Sequence, residues 1–260
     1  MPMTSTPCTV LAFASQKGGV GKTTSAVNLA ASLGILGHKV LLVDFDPQGN
    51  ATSGVGAEKT EDNSAYDLIM GANPYGCIVK TAFDNLDVLP SEISLAGAEL
   101  ELVDVKDRQY KLKNALDTLR ADYDYILIDC PPSLGLLTIN ALSAADGVVV
   151  PMQCEYFALE GLSQLTLTIS QIKRLYNPRL DLVGVVIAMF DGRLNLSVQV
   201  LEEIKKHFPG KLFTTPVPRN VRLSEAPSFG MPAVYFDKHS KGAAAYLEIA
   251  KELAKRCGTK

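Results

Sequence analysis

The sequence predicts an α/β fold, a single-domain, doubly wound, mainly parallel sheet with helices on both faces. Three observations predict it. Short apolar runs alternate with helical patterns along most of the chain. The strand-like runs are apolar throughout, as strands covered on both faces are. A length of 260 residues with 47% hydrophobic composition supports one large core, and no repeat, low-complexity tract or Pro/Gly/Ser linker divides it.

Taken in order, residues 1–8 read as a short N-terminal extension that lacks the basic segment and sustained apolar stretch of a signal peptide. Strand-like runs follow at Thr9–Ala14, Val40–Val43, Leu86–Leu89, Tyr125–Ile128, Gly147–Val150 and Leu182–Phe190. Helical periodicity marks Thr23–Leu36, Arg108–Arg120, Leu134–Ala144, Leu159–Leu175, Leu196–His207 and Ala243–Arg256. Ala51–Pro74 is the most polar and least periodic stretch and reads as a mobile surface excursion. Pro216, Pro218, Pro227 and Pro232 punctuate a second irregular stretch. The folded domain is expected over residues 9–256, with 257–260 a tail.

Composition excludes several classes. The cysteines Cys8, Cys77, Cys130, Cys154 and Cys257 are scattered without a CxxC pair, so neither a disulfide framework nor a zinc site is indicated, and reducing cytosol is the expected compartment. The longest nearly uncharged apolar run, Leu182–Phe190, is far short of the roughly 20 residues of a membrane helix. Net charge is −3, which argues against coating nucleic acid by bulk positive charge. Its distribution is uneven: from Asp191 onward twelve Lys/Arg face seven Asp/Glu, so the last quarter is the basic part of an acidic chain. His38, His207 and His239 are isolated and read as surface residues.

Directly after the first strand comes Ser15-Gln16-Lys17-Gly18-Gly19-Val20-Gly21-Lys22-Thr23-Thr24, followed by the small-residue helix that begins Ser25-Ala26-Val27-Asn28. Strand, glycine loop and helix N-terminus in this order let backbone N–H groups turn inward around phosphate oxygens, with the helix dipole adding positive potential. Lys22 is placed to reach the β- and γ-phosphates of a nucleotide, and the Thr23 hydroxyl to ligate magnesium. The strict pattern G-x-x-x-x-G-K-[ST] fails at Gln16, and Lys17 is an additional lysine at the head of the loop.

Two further apolar runs end in acids. Val40–Val43 leads into Asp44-Phe45-Asp46-Pro47-Gln48-Gly49-Asn50, and Tyr125–Ile128 leads into Asp129-Cys130-Pro131-Pro132. In a parallel sheet these ends lie beside the phosphate loop. Asp129 is therefore expected to reach magnesium through a water. Asp46 is expected to position the attacking water, and is a second candidate for water-mediated metal contact. Asp44 is assigned a packing or loop-fixing role.

The segments Lys17–Thr24, Val43–Asn50 and Ile126–Pro132 resemble the three nucleotide motifs of the deviant Walker A family of P-loop ATPases, which includes ParA/Soj, MinD and the nitrogenase iron protein. Gln153–Gly161 and Pro218–Ser228 are similar to segments of its chromosomal ParA (Soj) branch, and the similarity runs from Val10 to Leu253. The resemblance implies an ATP- and magnesium-dependent ATPase of slow turnover in DNA partitioning. Lys17 would cross to the phosphates of a partner subunit in an ATP-sandwiched homodimer, supplying the charge an arginine finger supplies elsewhere. It implies adenine recognition by the backbone near Pro218 and the side chain of Asn220, a donor-and-acceptor contact. It also implies non-specific binding to double-stranded DNA through basic residues of the C-terminal part: Arg193 and Arg222, with Lys241 a further candidate. The implied partner is a ParB-type centromere-binding protein that stimulates hydrolysis, and the implied location is cytoplasmic and nucleoid-associated. With about eight residues before the first strand, an operator-reading helix-turn-helix is not expected there.

Two other readings within the family are weaker. A MinD-like membrane ATPase needs an amphipathic C-terminal helix, whereas Tyr246, Leu247, Ile249, Ala250, Leu253 and Ala254 recur at core-packing intervals and Lys255–Lys260 carries no large apolar group, so no membrane partner is expected. An iron–sulfur protein needs a second cysteine near Pro90–Glu101 to accompany Cys130, and that stretch has none.

Overall fold

The computed structural model describes residues 8–59 and 62–258. The strands are β1 (Thr9–Phe13), β2 (Val40–Asp44), β3 (Val79–Lys80), β4 (Leu86–Leu89), β5 (Tyr125–Asp129), β6 (Gly147–Met152) and β7 (Asp181–Ile187). The helices are α1 (Lys22–Ile35), α2 (Asn50–Gly54), α3 (Ala65–Met70), α4 (Leu95–Glu101), α5 (Lys111–Asp117), α6 (Leu136–Ala144), α7 (Ala158–Leu175), α8 (Asn195–His207), α9 (Val221–Glu225), α10 (Ala233–Phe236) and α11 (Lys241–Arg256).

One sheet, in the order β3-β4-β2-β5-β1-β6-β7, carries all these strands. Every pairing is parallel except that of β3 with β4. Alternation along each strand divides the core. Val10, Ala12, Leu41, Val43, Ile126, Ile128 and Val148 face one side, where α3 to α8 pack. Leu11, Phe13, Leu42, Leu127 and Val149 face the other, against α1 and α11. The chain leaves β1 toward β2 and later crosses from β5 to β6 on the far side of β1. The strand order therefore reverses around β1, and the crevice at the carboxyl ends of the strands opens there.

The predicted strands and long helices are all present, and the departures have local causes. Ala51–Pro74 is more ordered than its polarity implied: α2 and α3 form within it, and Ala51, Thr52, Ala65, Leu68 and Ile69 are buried. Ser64 and Asp67 build a capping box that starts α3, a signal that outweighs the weak periodicity of six residues. Of that stretch, Thr60 and Glu61 lie outside the described residues, as do residues 1–7 of the extension and 259–260 of the tail. Leu182–Phe190 stops being a strand at Ile187, and Met189 adopts a left-handed φ of 53°. The edge strand β3 has two exposed residues and no apolar run to announce it. Helix α11 docks on α1 with Tyr246, Ile249, Ala250 and Leu253 fully covered. No described helix is long and apolar enough to cross a membrane.

Candidate active site

The loop between β1 and α1 is shaped by two glycines at positive φ, Gly19 at 72° and Gly21 at 88°, a region that L side chains avoid. Gly21 is also the residue that immediately precedes α1, and a Cβ there would lie 3.2 Å from the Cβ of Ala188 at the end of β7. Gln153, just past β6, donates from Nε2 to the Gly19 carbonyl at 2.9 Å. The Ser15 hydroxyl donates to the Lys17 carbonyl at 3.0 Å. The ends of β6 and β7 therefore bound the loop on one side, and its own Ser15 hydroxyl tightens it. The N-terminus of α1 stays without a side-chain cap, so its first N–H groups are left for a ligand.

Beneath the loop sits a set of buried charges. Lys22, Asp44, Asp46 and Asp129 are all less than a tenth exposed. Both carboxylate oxygens of Asp129 are buried without a hydrogen-bond partner; the Thr23 hydroxyl is close enough to favour the ionised form but not at hydrogen-bond geometry. Burial pushes the Asp129 carboxyl up to about 7, with Asp44 and Asp46 pushing the same way against Lys22. An unpartnered buried carboxylate of this kind is costly unless something else completes it.

Asp44 is the opposite case. Its Oδ2 accepts from the backbone N and the hydroxyl of Thr52, each at 2.7 Å, and its Oδ1 from the backbone N of Asp46 at 3.3 Å. Burial still raises it, to about 6. This is the loop-fixing role read from the sequence. Asp46 in turn accepts from the backbone N of Gln48 at 3.0 Å.

Lys17 stands at the rim, half exposed. Its ammonium lies 3.6 Å from Glu155 and 5.7 Å from the centroid of the Phe157 ring, so in the single chain it rests against its own β6–α7 loop. Tyr156 and Phe157 beside it are 77% and 58% exposed, an unusual placement for two adjacent aromatics.

On the other side of α1 a cleft of about 290 Å³ is lined by Gly21, Thr24, Met189, Pro218, Asn220 and Tyr246, among others. Thus Pro218 and Asn220, some two hundred residues from the loop in sequence, reach its end in space. Asn220 caps α9, its Oδ1 accepting from the Arg222 backbone N at 2.9 Å. That bond uses one lone pair of Oδ1, so the second lone pair and Nδ2 are left for the donor-and-acceptor contact expected from the sequence. Tyr246 anchors the cleft through its hydroxyl, 3.0 Å from that of Ser25, and Asn28 bridges the Thr24 carbonyl and the Ala233 backbone N.

The three basic candidates lie outside this crevice and differ among themselves. Arg193 is exposed and clamps Asp191 with two bonds, Nε–Oδ1 2.9 Å and Nη2–Oδ2 2.7 Å. Arg222 is held by Glu225 at 2.9 Å and Asp237 at 3.3 Å and lies over the Phe236 ring. Lys241, in the first turn of α11, is exposed and has no ion-pair partner among the described residues. Cys130 is fully buried, and burial pushes its thiol far up, which makes it an inert core group. All five cysteines are free.

The hydrogen bonds of Gln153 to Gly19, of Thr52 to Asp44 and between the Tyr246 and Ser25 hydroxyls are not among the sequence expectations. Gln153 was findable, since it follows a parallel strand at the end where ligands bind. The hydroxyls of Thr52 and Tyr246 carried no signal, because their partners are distant in sequence.

Comparison with known proteins agrees with this arrangement. Residues 8–182 match a family described as an AAA domain. Over 247 residues the chain is 55% identical to the sporulation initiation inhibitor protein Soj of Bacillus subtilis, covering 94% of this chain and 98% of that one. It is 49% identical over 258 residues to the chromosome partitioning protein ParA of Caulobacter vibrioides, covering 98% and 97%. Among solved structures, cobyrinic acid a,c-diamide synthase of Mycobacterium smegmatis with bound ATP analog and magnesium superposes with a TM-score of 0.83 at 39% identity, covering 95% of each chain. From fold, site and relatives together, this chain belongs to the ParA/Soj family of chromosome-partitioning P-loop ATPases.

Proposed function

We propose that the chain binds and hydrolyses ATP with magnesium, closes as a homodimer around the nucleotide, and in that state binds double-stranded DNA without sequence preference. Hydrolysis, stimulated by a ParB-type centromere-binding partner, releases the DNA. The observation that carries the reading is the Asp129 carboxylate, buried with both oxygens unpartnered beside Lys22 and below an uncapped helix N-terminus. These residues fit a magnesium nucleotide: Thr23 and Asp129 supply the hard oxygen donors, Asp129 through water, while Gly18 to Thr24 and Lys22 face the phosphates. Magnesium, when bound, neutralises charge on the phosphate oxygens.

The roles of the side chains follow from their positions. Asp46, fixed at the end of β2, orients water. Lys17, at the rim and engaged by the half-exposed Glu155 and the Phe157 ring, is free to exchange these partners for phosphates of a second subunit. Tyr156 and Phe157 offer the apolar area that such a subunit would cover. Pro218 and Asn220 take adenine in the cleft beside Thr24. Arg193, Arg222 and Lys241 contact DNA phosphates. Residues 9–256 make up the ATPase domain, and the location is cytoplasmic and on the nucleoid.

The test is co-sedimentation with random-sequence duplex DNA, with and without ATP, alongside flotation with liposomes. The expected result is ATP-dependent pelleting with DNA and none with lipid. Binding to DNA that ignores ATP, or ATP-dependent flotation, overturns the reading; the latter is the MinD-like alternative.

A further inference from the structure

We propose that Thr52 is a positioning residue for hydrolysis: with Asp44 it forms a hydrogen-bonded node that locks the backbone of Asp46 to the ends of two strands. The inference rests on the water-orienting role of Asp46 proposed above. Thr52 lies in α2, six residues beyond Asp46, and is fully buried. Its hydroxyl donates to Asp44 Oδ2 at 2.7 Å and accepts from the backbone N of Ser91 at 3.0 Å; its own N–H donates to the same Asp44 oxygen. The other Asp44 oxygen takes the N–H of Asp46. One side chain thus joins the end of β2, the first turn of α2 and the segment that follows β4.

The loop between is closed tightly enough that Asp46 has little freedom. Gly49 sits at φ 62°, its N–H donates to the Asp46 carbonyl at 2.9 Å, and a Cβ on it would fall 2.6 Å from the Ser91 carbonyl. The Ser91 backbone therefore meets the loop twice, through its N–H at Thr52 and through its carbonyl at Gly49. Removing the Thr52 hydroxyl leaves a buried N–H without an acceptor and Asp44 with one donor fewer, and the slack appears at Asp46. The hydrogen bonds of the Thr52 side chain go to Asp44 and Ser91 and not to the phosphate loop, so nucleotide binding has no reason to follow.

The experiment compares Thr52→Val, Thr52→Ser and Asp46→Ala in the full chain, measuring affinity for a slowly hydrolysed ATP analogue, single-turnover hydrolysis with ATP saturating, and thermal unfolding. Thr52→Val should hydrolyse about a hundredfold more slowly, the scale of a small misplacement of a reacting group, with analogue affinity unchanged. Thr52→Ser, which keeps the hydroxyl, should restore most of the rate. Parental hydrolysis by Thr52→Val, a loss in Thr52→Ser as large as in Thr52→Val, or equal losses of affinity and rate each overturns the proposal. Should Thr52→Val not fold, Asp44→Asn takes its place, and parental turnover there overturns it equally. If Asp46→Ala itself hydrolyses normally, the reading of Asp46 has failed; if Asp46→Ala is inactive while Thr52→Val is not, only the node has.

Discussion

The crevice at the strand ends and the basic last quarter of the chain both carry charges that the proposed function uses, and they hold them in opposite ways. In the crevice Lys22, Asp44 and Asp129 are buried, and Asp129 lacks any hydrogen-bond donor. In the last quarter Arg193 and Arg222 are exposed or half exposed and already satisfied by carboxylates two to fifteen residues away. A buried charge without a partner makes the folded protein wait for a ligand, so changes there act through large terms. An exposed pair is worth little, so changes there act through the small difference between one anion and another. The two regions should therefore differ in the size of every mutational effect.

The largest effect is expected at Lys22. Lys22→Ala should weaken ATP binding by about a hundredfold or more, since removing one member of a buried charge set leaves the others uncompensated. Titration with a fluorescent ATP analogue checks this, and unchanged affinity breaks the contrast at its strong end. Lys17→Ala, by comparison, should bind ATP normally and fail to dimerise, because Lys17 sits at the rim with a half-exposed partner. Sedimentation with ATP distinguishes the two lysines; equal loss of ATP affinity in both variants removes the argument for a lysine that acts across the dimer.

Next comes the stability of the nucleotide-free protein. Burial raises Asp129 from 3.8 to about 7, so between those values the folded chain keeps a proton that the unfolded chain releases. Stability then falls as pH rises through that window, and above the folded value the full cost of an ionised, unpartnered carboxylate is present. Asp129→Asn removes that cost. Its melting temperature should exceed the parent's by about 5 °C at about pH 8 and by nothing at about pH 4. A gain independent of pH would assign the effect to packing instead. The substitution should at the same time abolish magnesium-dependent hydrolysis, so the residue trades stability for function.

The same contrast explains what was legible in the sequence. The crevice is written in contiguous motifs, Ser15–Thr24, Asp44–Asn50 and Asp129–Pro132, each directly following a strand, so a parallel sheet brings them together without further information. What escaped was what the motifs lean on. Thr52 reaches Asp44 and Ser91, and Tyr246 reaches Ser25 across two hundred residues, contacts that no local pattern encodes. The helices α2 and α3 within Ala51–Pro74 are too short to show periodicity, and the capping pair Ser64 and Asp67 is the sequence signal that marks α3. On the basic side, charge counting marks the last quarter of the chain and the family resemblance orders its candidates. What neither could show is that Arg193 pairs with Asp191 and Arg222 with Glu225 and Asp237, whereas Lys241 has no ion pair among the described residues.

The smallest effects lie among the basic residues, where Arg193 gives the sharpest test of the contrast. Its guanidinium is 87% exposed and held by two bonds to Asp191, whose carboxyl it keeps near 2, well below the ordinary range. The pair is therefore intact throughout the physiological pH range, and DNA must displace a carboxylate to gain the arginine. Arg193→Ala then removes only the difference between a phosphate and Asp191, and ATP-dependent DNA affinity should fall a few-fold, alike on all sequences. Asp191→Asn keeps the arginine and removes its competitor, so it should bind DNA more tightly than the parent. The slope of log affinity against log salt should become shallower in Arg193→Ala and steeper in Asp191→Asn, each by no more than about 0.9 for one phosphate contact. Lys241→Ala, which has no competitor to displace, should show the larger loss, and Arg222→Ala, with two carboxylates and the Phe236 ring already engaged, the smallest. Salt titrations with ATP on duplexes of differing sequence read all four variants. If Asp191→Asn binds no better than the parent while Arg193→Ala loses affinity, the ion pair orders the arginine for DNA instead of withholding it. If neither moves the slope, DNA lies elsewhere on the molecule.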